Sequence, residues 1–264
     1  MDAREGVAFL TGSEGRVAVL RLLAETPCRP CELRERTEAS RTAIHRALTG
    51  FEERGWVRKD DNRYALTAAG RHVHEQYEEL AAAVETGDRF SEFLTTFPRA
   101  DDLPFPFDGE VRVATPTEPQ APRTFFHDRL PADADRFRGF TPVLTQRLAE
   151  SLEPTVEAGT EVELVYDESY ARQALQSYPE TMELAMRTDS VTIHVVPDSI
   201  EAGLAIVDGE VFLKAYGSRG DLRACLHSTD ERLHGWASDW FEQVRSGSRS
   251  LERFAPETPY CSGG

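Results

Sequence analysis

Residues 39–55 constrain the fold most strongly, because their pattern predicts a single amphipathic helix. Its apolar residues recur at spacings of three and four and therefore face a core together: Ile44, Ala47, Leu48 and Phe51. Ser40 is a favourable N-cap, and Gly55 suits the left-handed residue that often follows a helix. The opposite side of this helix carries Ser40, Arg41, Thr42, His45 and Arg46.

These five polar side chains indicate a surface that binds double-stranded DNA. Every one can donate a hydrogen bond to a phosphate or a base edge. A solvated helix face is the alternative interpretation. It does not explain why the exposed charges of the first two turns are all arginine in a chain with a net charge of -16. The sequence therefore favours DNA recognition by this helix.

The flanking segments supply the other parts of a winged helix-turn-helix in their usual order. Residues 14–25 predict a helix, and residues 32–37 predict a second, shorter helix anchored by Leu33. After the amphipathic helix, residues 56–59 and 63–66 alternate as two strands around a turn at residues 60–62.

In such modules the recognition helix enters the major groove while flanking elements touch the DNA backbone. The predicted hairpin is then the wing. Its basic residues are expected to contact phosphate or the minor groove: Arg58, Lys59 and Arg63.

Composition bounds the class of protein. A chain of 264 residues with 40% hydrophobic content can bury a core and predicts two domains. It lacks an apolar run of about 20 residues and the apolar segment of a signal peptide, so we expect a cytoplasmic protein without a membrane partner. Only Lys59 and Lys214 are lysine among 30 basic residues, against 46 acidic ones. This composition resembles halophilic adaptation, and an acidic protein of a high-GC bacterium is the alternative.

The acidity is concentrated outside the predicted DNA-binding module. Residues 1–75 hold 13 basic against 12 acidic residues, a balance of +1, and residues 76–264 hold 17 against 34, a balance of -17. A DNA-binding module normally carries basic charge. A neutral module within an acidic chain is a weaker form of the same signal.

The segment after the hairpin predicts a long helix with an apolar seam. Val73, Tyr77, Leu80 and Val84 are spaced by four, three and four residues, which suits pairing with a second copy in a homodimer. Packing on the chain's own domains is an equally good alternative. Gly87 is expected to interrupt this helix, before a new apolar face begins at Phe90.

Six prolines between residues 98 and 122 predict a linker, with one short strand at residues 111–113. The domains predicted on this basis are residues 1–72 as the winged helix-turn-helix and 73–97 as a helical connector. Residues 98–122 are the linker, 123–248 an α/β effector or oligomerisation domain, and 249–264 a loose tail.

The second half alternates between strand and helix patterns, which predicts an α/β sheet covered by helices. Strands are expected at residues 136–141, 161–166, 191–196, 203–207, 211–216 and 222–227. Helices are expected at 144–158, 169–187 and 230–245, the last capped by Thr229 or Asp230. Asp208-Gly209 is a strong signal for a type I′ hairpin turn.

Several motifs together carry a resemblance to a known family. They are GRVAVLRLLAE (15–25), ASRTAIHRALTGFEERGWV (39–57), RYALTAAG (63–70), VATPTEP (113–119), FRGFTPV (137–143), EVELVYDE (161–168) and GLAIVDGEVFL (203–213). The chain resembles archaeal winged-helix regulators whose C-terminal domain was first described in a methanogenesis and filamentation regulator. The resemblance implies a transcription regulator with an effector or oligomerisation domain. In outline the chain is similar to sugar-responsive archaeal regulators with a phospholipase-D-like sensor fold. The resemblance does not identify the small-molecule effector.

Catalysis is not expected, although the phospholipase-D-like fold has catalytic relatives. Their chemistry requires a histidine nucleophile with a lysine two residues later. None of the four C-terminal histidines has a lysine two residues later: His127, His194, His227 and His234. The residue two positions before Lys214 is Phe212, not histidine. Motifs of other hydrolases and nucleotide-binding enzymes are absent from the sequence as well. We therefore expect no catalytic residue, cofactor or metal, and a hydrogen-bonded structural role for His194.

The Cys28-Arg-Pro-Cys31 motif precedes the second predicted helix, where the helix dipole favours a thiolate. Redox or metal chemistry is one interpretation, although zinc would need two further ligands. The alternative is that Cys31 caps the helix and Cys28 is incidental.

The sequence thus predicts a sequence-specific, DNA-binding transcription regulator. Two alternatives stay open at this point. One is a thiol- or metal-responsive regulator that uses Cys28 and Cys31, and the other is a constitutive architectural DNA-binding protein.

Overall fold

The chain divides between Val84 and Glu85 into two units, Met1–Val84 and Glu85–Gly264, in a computed structural model. The structure describes residues 2–131, 133–143 and 159–255. The helix predicted at residues 144–158 and the end of the predicted tail lie outside the described residues.

Unit 1 begins with four helices: α1 (Ala3–Thr11), α2 (Glu14–Glu25), α3 (Pro30–Arg36) and α4 (Arg41–Glu53). Helix α1 is not among the elements that the sequence predicts. Helices α2 and α4 confirm the two predicted helices, and the predicted inward residues of both are buried in one core: Val17, Leu20, Leu23, Ile44, Ala47, Leu48 and Phe51.

The ends of α4 form as the local sequence predicts. The Ser40 hydroxyl oxygen accepts a hydrogen bond from the Ala43 backbone N–H at 3.2 Å. Gly55 has a φ of +70°, a conformation that glycine adopts without steric cost.

The predicted hairpin is present as strands β1 (Val57–Asp60) and β2 (Arg63–Leu66). Asp60 pairs with Arg63, so the loop consists of Asp61 and Asn62 alone. Both loop residues have positive φ, at 41° and 69°, which is the conformation of a type I′ turn.

Helix α5 (Ala68–Thr96) is continuous, so the expected interruption at Gly87 is wrong. One glycine costs a helix only about 1 kcal/mol relative to alanine. The apolar residues that follow Gly87 outweigh this cost, because Phe90, Phe93 and Phe97 are buried in the core of unit 2. The helix ends at Thr96, just before the Phe97-Pro98 pair, where proline disfavours helical geometry in the preceding residue.

Unit 2 is built on an eight-stranded mixed sheet. In chain order its strands are β3 (Glu110–Val113), β4 (Arg136–Phe140), β5 (Glu161–Asp167), β6 (Val191–Val196), β7 (Gly203–Val207), β8 (Glu210–Tyr216), β9 (Leu222–Ser228) and β10 (Arg249–Ser250). Their spatial order is β10-β6-β5-β4-β7-β8-β9-β3. Strand β5 pairs in parallel with β4 and β6, and the other pairs are antiparallel. This sheet confirms the predicted mixed α/β architecture.

Helices cover both faces of this sheet. In the described residues of unit 2 the α-helices are α6 (Ala121–Arg129), α7 (Glu168–Ser177), α8 (Pro179–Arg187), α9 (Glu231–Arg245) and α10 (Leu251–Phe254). One face packs against α9 and the end of α5. The other packs against α6 on one side and against α7, α8 and α10 on the other. Alternation along β7 separates the faces: Leu204 and Ile206 belong to the first, Ala205 and Val207 to the second.

The predicted linker and the predicted tail both contribute elements to unit 2. The predicted linker contains strand β3, in agreement with the predicted short strand, and its Leu103 and Phe107 are buried in the sheet core. The predicted tail contributes β10 and α10, with Leu251 and Phe254 buried. In both segments apolar side chains find a distant partner surface, which proline content and position in the chain do not reveal.

The helix predicted at 169–187 is two helices. Helix α7 ends at Ser177, Tyr178 leaves the helical conformation, and Pro179 begins α8. Proline lacks the N–H that a continuous helix would use, so the break falls there. The hairpin at Asp208-Gly209 and the N-cap of α9 at Asp230 are confirmed.

Candidate nucleic-acid interface

The predicted recognition residues lie together on the exposed side of α4, a set called here the α4 surface: Ser40, Arg41, Thr42, His45 and Arg46. The apolar side of the same helix is buried, which fixes the direction of this surface. The Ser40 hydroxyl oxygen serves as the N-cap, and its O–H remains able to donate.

The arginines of the α4 surface form no ion pair with the residues that the structure describes. Neither Arg41 nor Arg46 has a carboxylate within 4.0 Å among the residues that the structure describes. Some other arginines of unit 1 form ion pairs, such as Arg21 with Glu78 and Arg36 with Glu25, whereas others, such as Arg34, have none among the described residues. The α4 surface therefore presents positive charge that no neighbouring carboxylate neutralises.

All three predicted basic residues of the hairpin are exposed to solvent. Arg58 and Lys59 are exposed, and the Lys59 ammonium lies 5.7 Å from the centre of the Tyr64 ring. Arg63 differs from the expectation, because its guanidinium has partners within unit 1. It donates to the Pro27 carbonyl oxygen at 2.7 Å and to Glu32 Oε1 at 3.1 Å.

The surroundings of Cys28 do not favour a thiolate. Its backbone pairs with that of Tyr64 in an isolated β-bridge, and its Sγ donates to the Thr26 carbonyl oxygen at 3.3 Å. Burial raises the pKa of the Cys28 thiol, with the Glu32 charge acting in the same direction. The β-bridge places the Cys28 side chain in the core, and this burial opposes the thiolate that the helix dipole is expected to favour.

Cys31 is exposed on the first turn of α3, one residue after Pro30. It does not cap the helix, since the Arg29 backbone N–H donates to Glu32 Oε2 at 2.8 Å instead. That hydrogen bond is the main reason why the pKa of Glu32 is lowered. Within the described ranges, no group of three or more His, Cys, Asp or Glu side chains is arranged to hold a metal ion.

His194 has two hydrogen-bonding neighbours in unit 2, in agreement with the expected structural role. Its Nε2 lies 3.1 Å from Glu163 Oε1, and its Nδ1 lies 3.2 Å from Ser248 Oγ. In the described part of the chain, no helix has the length and apolar character that spanning a membrane requires.

Two family models match this chain. Residues 4–89 match the HVO_A0261 N-terminal domain, a range that spans the helices and the hairpin of unit 1. Residues 119–247 match the middle domain of the methanogenesis regulatory protein FilR1, which includes most of the sheet of unit 2. Together these matches support an archaeal regulator family and a regulatory role.

Solved structures with overall similarity include TrmBL2, described as an archaeal chromatin protein with a novel mode of DNA binding. It has 13% identity and a TM-score of 0.42, with 88% of this chain and 92% of that one covered. A phosphatidylserine synthase from Haemophilus influenzae has 12% identity and a TM-score of 0.44, with 84% and 49% covered. Both TM-scores are below 0.5, so neither likeness establishes the fold or function of this chain. No curated protein matches it.

Proposed function

We propose that this chain is a sequence-specific DNA-binding transcription regulator. Unit 1 acts as a winged helix-turn-helix, with α4 in the major groove and the β1–β2 hairpin as its wing. Unit 2 acts as an effector-sensing domain. The observation that carries this proposal concerns Arg41 and Arg46, which have no ion-pair partner among the described residues. Both lie on the exposed side of α4, whose other side is buried in a core.

Base-edge contacts supply most of the specificity. The first 75 residues carry a balance of only +1, so few counterions are released on binding and the electrostatic term is small. An arginine that donates two hydrogen bonds to guanine contributes about 1–3 kcal/mol of discrimination against other bases. Arg41 and Arg46 lie in the first turns of α4, where docked recognition helices present side chains to bases.

The hairpin positions the protein on DNA and does not contribute to its preference for a base sequence. Arg58 and Lys59 are free to contact phosphate oxygens, which fix the register of a protein on DNA without reporting its sequence. Arg63 is left out of this set because Glu32 and the Pro27 carbonyl oxygen occupy its guanidinium.

The protein acts as a homodimer through α5. Val73 and Tyr77 of the predicted seam pack partly on the core of unit 1. Leu80 and Val84 are instead 57% and 55% exposed in the single chain. Apolar side chains at this spacing suit pairing with the same helix of a second copy, and two-fold symmetric operators are read by such dimers.

Unit 2 has no catalytic role in this proposal. The chemistry of the phospholipase-D-like enzymes requires a histidine two residues before a lysine, and Phe212 occupies that position before Lys214. No cofactor or metal is assigned to the chain.

Binding measurements on an operator obtained by in vitro selection test the proposal. Wild type, Arg41→Ala and Arg46→Ala are compared on the operator and on a scrambled duplex, at two salt concentrations. Each substitution should reduce the preference for operator by about 5- to 150-fold, at high salt as well as at low salt.

Arg187→Ala is the matched control, because Arg187 is exposed in unit 2 and paired with Glu183. Full operator preference in the Arg41 and Arg46 variants would overturn the assignment of α4. Equal affinity of the wild type for both duplexes would overturn sequence specificity and favour an architectural role.

A further inference from the structure

Lys214 is a buried lysine without an anionic partner. It lies on strand β8 with 7% of its surface exposed. Its ammonium lies 4.0 Å from the centre of the Phe126 ring. No carboxylate lies within 4.0 Å of the ammonium among the described residues. It is one of only two lysines in a chain with 46 acidic residues.

A buried ammonium without a counter-charge is costly, because burial removes the water that stabilises the charge. This burial lowers the pKa of Lys214 to about 8. Cys225, its cross-strand neighbour on β9, does not supply the missing charge, because burial raises the pKa of the Cys225 thiol to about 12. Among the residues that the structure describes, none therefore supplies a negative charge to the ammonium.

Besides the Phe126 ring, the neighbours of Lys214 include a tyrosine and a glycine. Tyr216 lies two residues further along β8 and thus on the same face of the sheet. Gly203 lies opposite on β7, and a Cβ atom there would lie 3.1 Å from both Lys214 Cε and Tyr216 Cε2. Because Gly203 has no Cβ atom, the side chains of Lys214 and Tyr216 can lie side by side over it.

Two hydroxyl groups and a second cation extend this cluster. The Tyr216 hydroxyl lies 2.9 Å from Thr141 Oγ1, and only one of the two hydroxyl hydrogens is needed for this hydrogen bond. The other has no acceptor among the described residues and could be donated to a ligand. Arg123 on α6 lies near enough to Tyr216 for its charge to oppose the rise that burial causes in the pKa of Tyr216. Arg123 also has no ion-pair partner within the part of the chain that the structure describes.

We propose that Lys214 and the hydroxyls of Tyr216 and Thr141, with Arg123 at the margin, bind the anionic group of a small molecule. The group is a carboxylate or a phosphate. An ammonium supplies three donors, and hydrogen bonds between ionised groups are about twice as strong as neutral ones. The claim that this ligand is the effector rests on the proposed regulatory function. The claim that the anion binds at Lys214 is independent of that function.

The two-lysine composition allows a direct test on the full chain. With lysine labelled by carbon-13 at Cε, the protein has only two lysine Cε signals, and Lys59→Met assigns them by elimination. The pKa of each lysine is then measured by NMR titration in chloride alone. The titration is repeated with inorganic phosphate or acetate replacing chloride at constant ionic strength.

The expected result is a saturable rise in the pKa of Lys214, by about one pH unit or more, because a bound anion favours the charged form. The pKa of Lys59 should stay unchanged, and a response to only one of the two probes identifies the chemical class. No change at Lys214, or an equal change at both lysines, would overturn the site.

A second measurement separates the site from the proposed function. Operator affinity of the wild type should change with the active probe, and that of Lys214→Met should not. A probe that binds Lys214 without changing operator affinity would overturn its role as effector. A protein that binds the probe but no DNA would overturn the proposed function while supporting the site.

Discussion

Arg63 Nη2 lies 3.1 Å from Glu32 Oε1, and this contact ties strand β2 to helix α3. The same guanidinium donates to the carbonyl oxygen of Pro27, in the connection between α2 and α3. A residue that the sequence assigns to DNA therefore holds the hairpin in place. All three basic residues of the hairpin are exposed, but only Arg63 has an ion-pair partner among the described residues.

This separation predicts different salt dependences for two substitutions. Lys59→Ala should weaken binding to operator and to scrambled DNA equally, and should reduce the salt slope by about 1, because one phosphate contact is lost. Arg63→Ala should leave the slope unchanged and lower only the thermal stability of unit 1. Filter-binding titrations across a salt series measure the slopes, and a slope reduced equally in both variants would contradict the internal role of Arg63.

The burial of Lys214 predicts a pH-dependent gain in stability for Lys214→Met. The folded pKa is lowered from 10.5 to about 8, so the cost of burying the charge is present in full below pH 8. It disappears as pH rises from 8 to 10.5, where the unfolded chain binds more protons than the folded one. Since methionine has a similar volume without charge, Lys214→Met should be more stable at pH 7 by about 3 kcal/mol.

Urea denaturation at pH 7 and pH 10, at fixed chloride and without phosphate or carboxylate buffers, measures this gain. The gain should be small at pH 10. An equal stability of wild type and Lys214→Met at pH 7 would mean that the buried charge is compensated.

The exposed positions of α5 predict how the dimer can be broken. Leu80→Glu should give a folded monomer, because a charge buried in a dimer seam without a partner costs several kcal/mol. Val7→Glu is the matched control, since Val7 is equally exposed at 57% but lies on α1. Sedimentation at working salt measures the mass of both, and a dimeric, folded Leu80→Glu would remove this seam from the interface.

The surroundings of the cysteines predict selective thiol chemistry. Cys31 is exposed, whereas Cys28 is buried with a raised pKa, and only the thiolate reacts. Native alkylation followed by peptide mass mapping should therefore modify Cys31 and leave Cys28 protected, and alkylation of Cys28 should appear only after unfolding. Fast modification of Cys28 in the native protein would instead favour the thiol-responsive alternative.

Local sequence signals were sufficient for the elements that are determined by neighbouring residues. The N-cap of α4 at Ser40, its end before Gly55 and the turn at Asp208-Gly209 depend on side chains and φ angles within a few positions. The spacing of apolar residues likewise placed the α4 surface correctly, because a helix converts spacing into direction. These features and strands β3 to β9 of unit 2 follow from the amino-acid sequence alone.

The tertiary structure alone decided features that depend on residues distant in the sequence. Arg63 is paired because the fold brings it to Glu32, 31 positions away. Cys28 is buried because its backbone pairs with that of Tyr64. In the sequence, Lys214 is notable only because no histidine precedes it by two residues. It became a candidate ligand-binding residue because its strand β8 lies between β7 and β9 and its ammonium contacts Phe126 of α6. The burial of a side chain and its ion-pair partner depend on contacts between segments that are distant in the sequence. A local sequence pattern therefore does not predict them.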